Sequence, residues 1–164
     1  MIEPFTSEWL RALGDQRNKD CRIQSIKLLS ESYAHFCRGY HMDTAQIIRD
    51  GLMPAGSAAG QQITIAPIPF YSLCEHHLLP FFGTVEISYT VGEFILGLGK
   101  FPRVIEALSA RLWMQENLTT ALADILTTGL KPKNISVTLT ARHLCMEMRG
   151  THMTGTQMIT RADR

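Results

Sequence analysis

Six consecutive residues, Ser72-Leu73-Cys74-Glu75-His76-His77, hold the densest group of reactive side chains in this 164-residue chain. A thiol and an imidazole three residues apart converge on one side of a helical turn or tight loop, so Cys74 and His77 suit a single zinc ion. A third ligand must come from elsewhere, and the later cluster His143-Leu144-Cys145 offers Cys145. A Cys, His, Cys set leaves a fourth position open, as in catalytic rather than structural zinc sites. Two thiolates cancel the formal charge of the ion, which still activates water. The plainer reading of a Cys-x-x-His pair is a buried cysteine beside a hydrogen-bonded histidine. His76 and His143 would flank the ion without ligating it. They read either as proton carriers near neutral pH or as supporting and surface histidines.

Two further groups are open to more than one reading. Gln115-Glu116 pairs an amide with a carboxylate, which together can read the hydrogen-bonding edge of a purine; the alternative is a solvated helix face. Lys100, Arg103 and Arg149 can hold phosphate, although scattered basic residues usually do not.

These residues need elements to position them. Ile23, Ile26, Leu29, Tyr33, Phe36 and Cys37 recur at spacings of three and four, which predicts a helix from about Asp20 to Tyr40 stopped near Gly39. Asp43 is placed to cap a short second helix. Met53 to Gly60 reads as a loop. Gln61 to Ile68 alternates as a strand, with Ile63, Ile65 and Pro67 on one face. Phe82 to Val91 is a second strand, and Gly92-Glu93 suggests a tight turn into a third, Phe94 to Leu98. One long helix is expected from Pro102, with a stripe running from Val104 through Leu112 and Gln115 to Leu126; it carries Gln115-Glu116 in its middle and ends at Gly129 and Pro132. Ile135 to Ala141 alternates as a fourth strand. The order implies an α+β fold with an antiparallel sheet, with an N-terminal helical segment, 1–55, ahead of the domain, 56–164, that carries the candidate residues.

Composition narrows the function. The formal net charge is +1, which argues against an electrostatic nucleic-acid or membrane binder. Apolar residues make up 45%, so disorder is excluded. Charged residues are 19%, below the roughly 25% usual for globular chains, as expected if some surface is hidden in a homo-oligomer; a plain compact monomer fits almost as well. The N-terminus has no basic start followed by an apolar run. The uncharged stretch from Gly51 to Cys74 is interrupted by Pro54, Gly60 and Pro67, unlike a spanning helix. A cytoplasmic location follows, in which Cys21, Cys37, Cys74 and Cys145 are thiols or metal ligands rather than disulfides.

Residues Ile68-Pro69-Phe70-Tyr71-Ser72-Leu73-Cys74-Glu75-His76-His77-Leu78-Leu79-Pro80-Phe81-Phe82-Gly83 resemble the signature of the GTP cyclohydrolase I family almost residue for residue. Leu96-Gly97-Leu98-Gly99-Lys100, Arg111-Leu112, Gln115-Glu116 and His143-Leu144-Cys145-Met146-Glu147-Met148-Arg149-Gly150 are similar to its later motifs, in the same order. The likeness covers about Gly60 to Thr160. It implies a tunnelling fold, an antiparallel sheet backed by helices, assembled as a toroidal decamer with sites shared between subunits. It implies conversion of GTP and water to formate and 7,8-dihydroneopterin triphosphate. By position, Cys74, His77 and Cys145 match the zinc ligands, and His76 and His143 the proton-transferring histidines. Gln115 and Glu116 match the guanine-binding pair, and Lys100, Arg103 and Arg149 the triphosphate-binding residues. Three positions depart from the family pattern. Gly99 replaces a serine, Leu28 falls where an arginine is usual, and Arg142 stands where a smaller or acidic residue is common. The alternatives are a paralogous zinc-dependent purine ring-opening enzyme with an altered phosphate requirement, and a non-catalytic zinc-binding scaffold.

Overall fold

The computed structural model describes residues 6–164. The chain forms two compact units, one ending at Cys37 and the other spanning Arg38–Arg164. The first holds α1 (Ser7–Ala12), capped by the Thr6 hydroxyl, and α2 (Lys19–Phe36), whose Asn18 cap accepts from the Cys21 N–H at 2.9 Å. The predicted helix over 20–40 therefore exists but ends earlier. Gly39 does not stop it; this glycine lies in a 3-10 turn, Arg38–His41, in the second unit. A Cβ there would stand 2.4 Å from the Ala107 carbonyl oxygen, so close backbone approach explains the residue.

In the second unit, Asp43 caps α3 (Thr44–Arg49) as expected, its carboxylate accepting from the Gln46 N–H. Next come β1 (Leu52–Pro54), β2 (Gln62–Cys74), β3 (Pro80–Thr90) and β4 (Phe94–Leu96). Strand β4 does not form the anticipated hairpin with β3. It pairs antiparallel with β1, Met53 opposite Ile95. The reason lies at Gly92, where a Cβ would be 2.0 Å from the Lys131 carbonyl oxygen. The chain leaves β3 by passing against the end of a helix instead of folding back.

The long helix expected from Pro102 is two helices, α4 (Lys100–Ser109) and α5 (Gln115–Leu130), separated by β5 (Leu112–Trp113). The apolar period continues through the break, which hid it. The Arg111 Nε–H bonds to the Gly39 and Ala107 carbonyls, and the Trp113 indole N–H bonds to the Leu108 carbonyl at 2.6 Å. Leu112 and Trp113 then run parallel to Leu73 and Cys74. Gln115 consequently opens a helix rather than sitting mid-helix. The helix ends past Gly129, at Lys131 in the left-handed conformation (φ 48°). Gly129 instead lets α3 approach, because its missing Cβ would lie 2.6 Å from Ile48.

The remaining elements are β6 (Asn134–His143), α6 (Leu144–Glu147) and β7 (Met158–Asp163), the last not foreseen. The main sheet runs β5-β2-β3-β6-β7. Strand β3 pairs antiparallel with β2, from Gln62 opposite Thr90 to Leu73 opposite Pro80, and with β6, from Phe81 opposite His143 to Thr90 opposite Asn134. Ile65 faces Ile87 and Ile68 faces Val85, so β2 carries one extra residue, a bulge. It shifts the buried parity from odd to even positions; Ile68 and Phe70, not Pro67, continue the core face. Val85, Ile87, Tyr89, Ile135, Val137, Leu139 and Ala141 line that face as expected. They pack with Val104, Ile105 and Leu108 of α4 and Leu118, Leu122 and Leu126 of α5 in one cluster. Among the described residues no helix is long and apolar enough to cross a membrane.

Gly83 tests the central register. It faces Ala141 on β6, and a Cβ would stand 1.9 Å from the Thr140 carbonyl oxygen. Gly83→Ala should cost about 1–3 kcal/mol, the usual size of an overpacking penalty, measured by urea unfolding. An unchanged midpoint would contradict the register.

Candidate metal centre and its flanking histidine

Cys74 is the last residue of β2 and is buried. The chain reverses at once: the Leu78 N–H donates to the Cys74 carbonyl (2.8 Å), and the Cys74 N–H to that of Leu79 (2.9 Å). Leu78 takes a left-handed φ of 55°, which closes the turn. The Glu75 N–H is held by the Trp113 carbonyl. This turn brings His77 Nδ1 to 3.6 Å from Cys74 Sγ. From the neighbouring end of the sheet, α6 supplies Cys145. One ligand atom from each of Cys74, His77 and Cys145 lies within 4.8 Å of the others.

The donor set fits a zinc ion. Bonds of about 2.3 Å to sulfur and 2.0 Å to nitrogen put tetrahedral ligand atoms roughly 3.3–3.8 Å apart, so only a small contraction is needed. Burial, and then the adjacent Cys74, push the Cys145 thiol above its ordinary range. A divalent cation between the sulfurs reverses that effect.

His143 is the last residue of β6. Its ring stacks on Phe81, its register partner, with centroids 4.7 Å apart and planes 3° apart. Its Nε2 is 2.8 Å from the Gln115 side-chain oxygen. Gln115, only 1% exposed, turns its amide nitrogen toward the carbonyls of Leu139 (3.2 Å) and Met158 (3.0 Å) and the Thr160 hydroxyl (3.0 Å). Three acceptors around the nitrogen fix the amide's orientation, so its oxygen faces His143 and accepts from it. Neutral His143 therefore carries its proton on Nε2, leaving Nδ1 free to accept one. The Thr119 hydroxyl donates to the Gln115 carbonyl (2.8 Å), so the Thr160 hydroxyl donates to Thr119 (2.6 Å) and the network closes. Burial lowers the His143 pKa, an effect opposed by the Glu116 carboxylate.

The structure thus gathers Cys74, His77, Cys145, His143 and Gln115. Glu116 is exposed on the first turn of α5, and its charge reaches His143. His76 is exposed on the turn, its ring 6.1 Å from that of His77. Arg149 is exposed beyond α6, where its charge favours the Cys145 thiolate. Lys100 and Arg103 stand apart. They line a cavity of about 410 Å³ with Asp50, Gly97 and Gly99, and none of the metal-type ligands borders it. Gly99 caps α4 without a side chain, and a Cβ there would meet nothing within 4 Å. Leu28 is on α2, in the first unit, about half exposed. Sequence reasoning missed Phe81, Thr119 and Thr160 as supports of His143; the usable signal was the alternation that sets Phe81 beside His143.

Two thiols and an imidazole gathered at one end of a mostly antiparallel sheet, beside a histidine held by Gln115, give this α+β chain a site that could hold a metal ion. The family model described as GTP cyclohydrolase I matches residues 2–164, and the chain belongs to that family. Curated relatives named GTP cyclohydrolase 1 include one from Deinococcus radiodurans, 36% identical over 163 residues (99% of this chain, 74% of the relative). Those from Campylobacter jejuni and Nitrosospira multiformis are 35% and 38% identical, covering 99% and 93% of this chain and 85% and 80% of theirs. Among solved structures, the archaeosine synthase QueF-Like in the apo form shares the fold, with a TM-score of 0.50 and 15% identity over 62% of this chain and 91% of that one.

The tautomer can be checked directly. Two-bond proton–nitrogen correlation spectra should give His143 the Nε2–H pattern, and Gln115→Leu should abolish that preference. The variant also strands buried acceptors, at a cost of about 1–3 kcal/mol in urea unfolding. An Nδ1–H pattern in the wild type would overturn the assignment.

Proposed function

We propose that this chain opens the imidazole ring of GTP by hydrolysis, releasing formate and forming 7,8-dihydroneopterin triphosphate. The observation that carries the reading is the convergence of Cys74, His77 and Cys145 beside an oriented His143, in a chain of this family. Zinc is the metal we assign to the three ligands, where it supplies Lewis acidity and makes water nucleophilic near neutral pH. His143 takes and returns protons at Nδ1, its Nε2–H being committed to Gln115. His76, at the solvent side of the turn, is the second proton-transferring group. The Glu116 carboxylate accepts from N–H groups on the guanine edge. Both side-chain amide hydrogens of Gln115 are already bonded, so its part in base binding is to hold this helix start and His143 in place. A misplacement of C8 by about 1 Å would cost on the order of 100-fold in rate.

Lys100, Arg103 and Arg149 hold the triphosphate in this reading. Lys100 and Arg103 line a cavity without metal-type ligands, which supports sites completed between subunits of a homo-oligomer. The toroidal decamer of tunnelling-fold sheets is the assembly we assign; the fold likeness to the QueF-Like protein supports the sheet. Two thiol ligands need reducing surroundings, which supports a cytoplasmic location.

Incubation with GTP should yield formate together with pterin fluorescence. Cys74→Ser, His77→Ala and Cys145→Ser should each lose most of the metal and all turnover, whereas His143→Ala should keep metal and lose about 10²–10⁴-fold in rate. Metal retained at one per chain with no formate from the wild type would favour the scaffold reading.

Gly99 favours a relaxed phosphate requirement, because it offers no hydroxyl to a phosphate oxygen. The space beside it is open, so Gly99→Ser is accommodated. GTP should be preferred over GDP and GMP by less than tenfold in kcat/KM, and Gly99→Ser should widen the preference; about 1.4 kcal/mol corresponds to tenfold. Strong rejection of GDP and GMP by the wild type would contradict this.

A further inference from the structure

We infer that Arg142 and Glu147 form a brace that positions Cys145, and thereby sets the metal affinity of the site. The inference rests on the metal reading above.

Cys145 sits on the weakest element near the centre. Helix α6 is four residues long, has no side-chain cap at its start, and ends with the Met148 N–H on the Leu144 carbonyl. A single turn has no intrinsic stability. The 144–157 connection around it is largely exposed beyond Glu147, and Gly150, His152 and Gly155 take positive φ. Something outside α6 must hold its thiol to within the few tenths of an ångström that a metal bond tolerates.

Glu147, two residues beyond Cys145, supplies the tie. Its carboxylate accepts from Arg142 Nε at 2.8 Å and Nη2 at 2.6 Å, a two-pronged bond to β6. One carboxylate thus joins the helical turn to the strand. The Glu147 side chain is 8% exposed, whereas Arg142 is 41% exposed; the pair is anchored at the carboxylate end. Arg142 is itself seated. Strand alternation sends it to the face opposite His143, where its guanidinium lies 5.8 Å from the centre of the Phe82 ring, and Phe82 stacks on Tyr71 at 6.0 Å. Arg142 and His143 are thus adjacent residues on opposite faces: one orients the imidazole side of the centre, the other the thiol side. Apart from the contact between the thiols, this is the side-chain bond that joins α6 to the sheet among the described residues. Neither residue touches the metal position, so both are positioning residues.

The test measures metal affinity, which a purely structural ion pair leaves alone. Zinc affinity of the full chain is measured by competition with a chromophoric chelator. Cobalt substitution reports thiolate coordination through its charge-transfer band, and melting of the metal-free protein reports the fold. Glu147→Gln and Arg142→Gln should each weaken zinc binding about 10–100-fold, the usual effect of losing a group that orients a ligand. The cobalt–thiolate band should fall, with the metal-free melting point nearly unchanged. Arg142→Lys keeps the charge without the fork and should lie between. Wild-type affinity in both Gln variants, whether or not the melting point drops, overturns the brace. A wild type that binds neither zinc nor cobalt overturns the metal reading instead.

Discussion

Antiparallel pairing of β3 with β2 puts Leu73 opposite Pro80, and its pairing with β6 puts Phe81 opposite His143. Those two registers place the Cys74–His77 turn and the His143–Cys145 segment at one end of one sheet, although about seventy positions separate them in the chain. Alternating burial holds the registers. Val85, Ile87, Val137 and Leu139 are all fully buried, and each contributes about 1.5–3 kcal/mol. A slip of one residue would turn all of them outward, so core packing fixes the site's geometry before any ligand arrives. The bulge in β2 belongs to the same constraint. It re-phases the strand so that Phe70 faces inward and Cys74 arrives buried at its end.

A second constraint acts through Gln115. Burying an amide unpaired costs several kcal/mol by water-to-hydrocarbon scales, and this amide is instead bonded on every side. Its partners come from β6 and β7. A closed polar network adds less to stability than to uniqueness, since one arrangement satisfies all members. Here that arrangement specifies which nitrogen of His143 is free. Orienting His143 and specifying the packing of β7 are one set of hydrogen bonds.

Much of this was legible in the sequence, for identifiable reasons. The alternation of Val85, Ile87 and Tyr89 and of Ile135, Val137 and Leu139 has only one physical explanation, a half-buried strand. The Asp43 cap follows from a short carboxylate before a helical pattern. Cys74, His77 and Cys145 stood out because thiols and imidazoles are scarce and their spacing is restrictive. The break between α4 and α5 was hidden because Leu108, Leu112, Gln115 and Leu118 keep helical phase across it; the Arg111 bond to Gly39 and the pairing of Leu112 and Trp113 with Leu73 and Cys74 are long-range. Gln115 was misplaced for the same reason, and its inward role with it. The β1–β4 pairing depends on the Lys131 carbonyl pressing on Gly92, a contact between segments far apart in the chain. Short-range pattern cannot register such contacts.

Trp113 gives the centre an optical signature. Its indole N–H is fixed on the Leu108 carbonyl, while its own carbonyl holds the Glu75 N–H, one residue from Cys74. The chain's other indole, Trp9, belongs to the first unit. An indole so tightly tethered to the turn has little freedom to relax on its own, so its emission and anisotropy follow the turn. With Trp9 replaced by phenylalanine, the intrinsic fluorescence of the chain becomes a label-free view of the thiol–imidazole turn, obtained without attaching any dye near the chemistry.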